Sequence, residues 1–136
     1  MSPFSCWAVL AVVVSVSGAQ AHGAPRRLPV GTWGGEHARL TVQDAGARLE
    51  LDCASLVLAA PISSDESGRV SAMGDFTARR PGPARQGETP AAVRARIEGH
   101  LDGATLTMSV ELVDPKTALG QYAVTLDTPA RLRPCR

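Results

Sequence analysis

Between Val93 and Leu112 the chain alternates apolar and polar residues with a period of two on both sides of Asp102-Gly103. Val93, Ala95, Ile97, Gly99 and Leu101 interleave with Arg94, Arg96, Glu98 and His100. Leu106, Met108, Val110 and Leu112 then interleave with Thr105, Thr107, Ser109 and Glu111. Successive side chains of a strand point to opposite faces, so each run describes a strand with one buried and one wet face. No stretch after the N-terminal apolar run keeps apolar residues at helical spacing for three turns, which leaves little for a helix to bury. Asp-Gly between two alternating runs is a strong hairpin signal. A two-residue turn at Asp102-Gly103 predicts Ile97 opposite Met108, Ala95 opposite Val110, and Arg94 opposite Glu111 on the wet face.

A second hairpin follows from the same test. Ala38, Leu40 and Val42 share a face with Leu49, Leu51 and Cys53 across Asp44-Ala45-Gly46-Ala47 if Leu40 lies opposite Leu51, Ala38 opposite Cys53, and Arg39 opposite Asp52 outside. Further strands are expected from Ser55 to Ala60, Val70 to Ala78, Gly120 to Asp127 with Tyr122, Val124 and Leu126 inward, and Ala130 to Cys135. Ser63 to Gly68 and Asp114-Pro115-Lys116 read as short connectors, and Arg80 to Pro90 as a long Pro/Gly-rich loop. The expected fold is all-β: a single antiparallel meander of about eight strands closed into a small barrel, because closure removes the exposed edges of an open meander.

A chain of 136 residues accommodates one such domain. Phe4 to Val16 is an apolar run too short to span a bilayer, followed by Ala19-Gln20-Ala21, the pattern of a signal-peptidase site. Residues 1–21 are therefore expected to be a signal peptide, 22–29 a flexible N-terminal segment and 30–136 the barrel domain. Cleavage removes Cys6 and leaves Cys53 and Cys135. A secreted or periplasmic chain with one such pair is expected to form a disulfide. Fourteen Lys+Arg against thirteen Asp+Glu, with no long basic run, argues against nucleic-acid binding. No membrane association is expected after cleavage. The common nucleophile, metalloprotease, phosphate-loop and dinucleotide motifs are absent, so the chain is read as no enzyme and as needing no cofactor.

Gly31-Thr32-Trp33 opens the barrel segment, and the chain closes on a stretch carrying Arg131 and Arg133. This G-x-W start with a terminal arginine strand resembles the lipocalin-like (calycin-type) barrels. The resemblance implies that Trp33 packs under Arg131 or Arg133 as a structural plug at one end. The wider pattern G-T-W-G-G-E-H, then L-D-C-A, then R-x-x-P-C, is also similar to a group of small exported bacterial proteins without an assigned activity. It implies a fold and an address.

Several residues have the chemistry of a site. His22 becomes the N-terminus after cleavage, where amine and imidazole together can chelate copper if His37 or His100 joins them. Glu36-His37 and Glu98-His100-Asp102 carry zinc- and copper-type ligands, but their alternation reads as a solvated exterior, with Arg94 and Arg96 salt-bridged around Glu98. No metal site is expected. Arg79, Arg80 and Arg85 flank the prolines of the long loop and form a local positive excess suited to a partner. Gly34-Gly35 is expected to bulge the strand and swing Trp33 inward. The function expected first is an exported non-enzymatic barrel that binds a small apolar molecule or a secreted protein. The alternative is a periplasmic protease inhibitor acting through residues 22–29, and a copper-binding protein comes third.

Overall fold

The computed structural model describes residues 12–14, 25–79 and 91–135. The signal-peptide boundary, His22, Arg80 and Arg85 lie outside them. In chain order the strands are β1 (Arg26–Arg27), β2 (Gly31–Gly35), β3 (Ala38–Val42), β4 (Ala47–Leu51), β5 (Ala54–Leu58), β6 (Ser63–Ser64), β7 (Arg69–Ala78), β8 (Val93–Asp102), β9 (Thr105–Leu112) and β10 (Thr117–Leu126). Eight of them, β2 to β5 and β7 to β10, pair antiparallel with their neighbours in sequence and close into a barrel through β7–β8 and β10–β2. β6 pairs with the start of β7, and β1 pairs with β6 outside the ring.

Alternation decides what fills the barrel. Leu40 faces Leu49 and Leu49 faces Leu56 across three adjacent strands, and all three are fully buried. Ile97 faces Val110, and Leu106 faces Val124, closing the same core from the other side. An eight-stranded barrel is just wide enough for its own side chains to fill it. Leu28 and Ile62 are buried against this core at the end where the chain enters, and the Leu28 N–H donates to the Ile62 carbonyl at 2.9 Å. The segment expected to be flexible is thus held from Arg26 onward.

Both hairpins keep the expected faces but slip by two residues. Ala95 faces Leu112, Ile97 faces Val110 and Arg96 faces Glu111, because the turn is Gly103-Ala104 and Asp102 remains in β8 opposite Thr105. Gly103 has φ +59 and occupies the first central position, where a type II′ turn places its glycine. In the first hairpin Leu40 faces Leu49, Ala38 faces Leu51 and Arg39 faces Glu50. There the Gln43 N–H closes on the Gly46 carbonyl at 2.8 Å, and Ala47 enters the strand to be buried opposite Val42.

Trp33 is fully buried and faces Leu40 directly, with no bulge. The expected bulge at Gly34-Gly35 is not formed, because the two-residue turn Glu36-His37 sets odd residues of β2 opposite even residues of β3 and so puts Trp33 on the face of Leu40 without one. Gly34 and Gly35 serve close approach instead. A Cβ on Gly34 would fall on the Thr128 carbonyl oxygen, and one on Gly35 on the Ala123 carbonyl oxygen.

The expected last strand is the other departure. After β10 the chain reverses at Asp127, φ +59, and runs back beside β2, making one isolated parallel bridge between Arg131 and Glu36. Pro129 and Pro134 have no N–H to give a ladder, so this segment stays a strap.

Candidate active surface at the disulfide end

The strap converges with the β4–β5 turn and the end of β7 at one end of the barrel. Cys53, in that turn, is bonded to Cys135, with the Cα atoms 5.0 Å apart. The Arg79 N–H donates to the Cys53 carbonyl at 2.8 Å, and Cys135 Sγ lies 3.4 Å from the Arg79 carbonyl oxygen. Arg131 adds two backbone bonds to β2 and its turn, N–H to the Gly35 carbonyl at 2.9 Å and carbonyl to the His37 N–H at 2.8 Å. The end is therefore fixed by a covalent bond and by main-chain hydrogen bonds from three separate stretches of sequence.

Asp52 organises one half of it. Its Oδ1 accepts the Arg133 N–H at 2.7 Å, and its Oδ2 lies 2.6 Å from His37 Nδ1. The Arg133 N–H, followed by the His37 contact, holds the Asp52 carboxyl below its ordinary range against the opposing effect of desolvation. An ionised carboxylate only accepts, so Nδ1 carries the proton and Nε2 is the imidazole's remaining nitrogen. His37 itself sits at φ +64, the left-handed region that side chains rarely adopt, so the turn holds it there at some cost. Burial, and secondarily the Asp52 charge, raises the Tyr122 hydroxyl above its usual value. An oriented imidazole is acid–base equipment, yet among the described residues no group of three or more His, Cys, Asp and Glu converges as a metal site would.

Glu50 organises the other half. It carries Arg39 at 3.1 Å, Arg79 at 3.7 Å and Arg48 at 3.9 Å, on the outer face of β3 and β4 and at the end of β7. Of the expected loop arginines, Arg79 belongs to this cluster.

The remaining expected residues are scattered. Arg94 pairs with Asp75 at 3.3 Å and Arg96 with Glu98 at 4.0 Å, so the charged pairs are surface contacts of β7 and β8. His100 lies at the opposite end, beside an open cleft of about 680 Å³ that Arg26, Asp65, Glu66 and Asp102 also line. In that cleft the Ser67 hydroxyl and the Arg69 N–H hold the Asp65 carboxyl below its ordinary value. The implied plug is built differently. The Trp33 indole N–H donates to the Pro29 carbonyl at 3.2 Å, whereas the Arg131 side chain is 81% exposed and pairs with Glu36, and Arg133 is exposed too. Backbone and Cys135, not a guanidinium over Trp33, tie the strap down.

No family model, curated protein or solved structure matches this chain.

Proposed function

We propose that the protein is an exported, non-enzymatic binding protein that recognises another protein with the outer surface of its disulfide end. The observation that carries this reading is the occupied interior: Trp33, Leu40, Leu49, Leu56, Ile97 and Leu106 are almost wholly buried within the ring. A barrel filled by its own side chains has no room for an apolar guest and works through its surface. The disulfide end suits that role because its loops are locked before any partner arrives, which lowers the entropic cost of binding. Export is supported by the Cys53–Cys135 bond together with the apolar leader and its cleavage pattern. Kinship with lipocalin-like barrels is supported by the Gly31-Thr32-Trp33 start and the up-and-down closure of eight strands.

Inhibition of a protease through the N-terminal segment is the second reading. It is favoured by Arg26, which lines the open cleft. Burial of Leu28 confines an inhibitory segment to the residues ahead of it. Copper binding would need His37 or His100 to join His22, and those two lie at opposite ends of the barrel.

Native mass spectrometry of protein purified from its export compartment tests the proposal. The expected result is a disulfide-bonded chain that carries no small apolar molecule and is recovered in part with a second polypeptide. A stoichiometric apolar ligand retained by the barrel overturns it.

A further inference from the structure

Three guanidiniums share one carboxylate on the wet face beside the disulfide. Arg39 sits directly opposite Glu50, Arg48 is two residues before Glu50 on the same strand face, and Arg79 follows the last residue of β7. Three positive charges against one negative leave this cluster two charges in excess, whereas the whole chain carries only +1. The Arg39, Arg48 and Arg79 side chains are 41%, 52% and 48% exposed, and Glu50 is 22% exposed. The carboxylate therefore lies beneath them while they face solvent. Each guanidinium has five N–H donors, and the single contact each makes to Glu50 leaves most of its fork for another acceptor. Arg79 is fixed through its own backbone to both cysteines, so its position costs little to hold.

We infer that Arg39, Arg48 and Arg79 form the anchor for a glutamate- or aspartate-rich segment of a protein partner. This deepens the proposed function and rests on it. Planar forks match carboxylates bidentately, and the face around them is mixed in charge: Asp75 lies one strand beyond Val57, and Asp52 follows Glu50 by two residues. A continuous polyanion such as a nucleic-acid backbone or a sulfated glycan would run across these carboxylates, while a peptide can place its charges singly. Val57, 45% exposed and opposite Arg48, offers an apolar contact next to the charge, which a peptide side chain can use and a phosphate chain cannot.

The test is titration of the oxidised, mature protein with a fluorescent glutamate-rich peptide of about ten residues containing one leucine. Arg48→Ala and Arg79→Ala are each expected to weaken binding roughly tenfold, the loss of one charge-assisted contact. Arg48→Lys keeps the charge and loses the fork, and is expected to recover only part of that loss. Glu50→Gln, which removes the internal competitor, is expected to strengthen binding. Binding should also shift the side-chain Nε–Hε signals of the three arginines. Equal affinity in wild type and in the arginine variants, with their circular dichroism unchanged, overturns the inference. Tighter binding of a sulfated oligosaccharide, a single-stranded oligonucleotide or an anionic vesicle than of the peptide also overturns it. If natural partner complexes survive Arg48→Ala/Arg79→Ala, this anchor is wrong and the binding-protein reading stands. If the chain instead retains an apolar ligand, that reading itself fails.

Discussion

At Gly34 the backbone of Thr128, Pro129 and Ala130 occupies the volume that any Cβ would need. Gly34→Ala must push the strap off β2 or distort the strand, and overpacking of this kind costs about 1–3 kcal/mol. A fall in the urea midpoint at unchanged m checks this. Asp52 works on the same strap through charge. Its carboxyl titrates below the ordinary value in the folded protein, so its contribution is present above the unfolded carboxylate's pKa and is lost as pH falls through the lower folded value. Asp52→Asn should be less stable than wild type near neutrality, and the two thermal midpoints should converge as the pH falls through the lowered value of the folded carboxyl. The gap should close in parallel with faster exchange of the Arg133 amide, the donor to Asp52. A gap that stays constant with pH would show that the carboxylate's charge is not what holds the strap.

Among the elements, the β8–β9 hairpin discriminates between two registers that the hydrophobic pattern treats as equal. With Gly103 at the first turn position and Asp102 inside β8, Gly103→Ala is expected to cost about 1–2 kcal/mol, the strain of a left-handed Cβ. Asp102→Ala, an exposed strand substitution, should stay within about 0.5 kcal/mol. Chemical denaturation of the two variants gives the ordering directly, and equal losses would favour Asp102-Gly103 as the turn. This pair also shows why faces were legible and registers were not. A slip of two residues preserves which side chains point inward, so Ile97 meets an apolar partner whether it faces Met108 or Val110. The first hairpin hides its site in the same way, because Arg39 finds a carboxylate at Asp52 in one register and at Glu50 in the other. The arginine cluster was illegible for that reason, and because Arg79 reaches Glu50 only after β7 has crossed the barrel beside β5. Likewise the His37–Asp52 pair joins two turns that no local spacing relates. Ala130 to Cys135 reads as a strand in the sequence, although Pro129 just ahead of it and Pro134 within it supply no N–H to a ladder.

Closure of the whole barrel is uneven. β7 and β8 pair over eight residue couples, whereas β2 and β10 meet at only two, Thr125 with Gly34 and Leu126 with Trp33. Beyond that point β2 is completed by Arg131 of the strap instead of by β10, and the strap's far end is fixed by Cys135. The disulfide therefore acts as the last fastening of the barrel seam as well as a constraint on the unfolded chain. A bridge spanning 82 positions is worth roughly 4–5 kcal/mol by the chain-entropy argument. Against a total of about 5–15 kcal/mol for a domain, its loss leaves a marginal fold. Reduction, or Cys135→Ser, is expected to lower Tm by roughly 20 °C. The loss should also be local before it is global. In hydrogen exchange of the reduced protein at low temperature, the strap and β2 should lose protection first, followed by the β2-facing side of β10. β3 to β5, each paired along its full length, should keep theirs. Uniform loss of protection around the ring would mean that the bridge acts through the unfolded chain alone and that the seam holds without it.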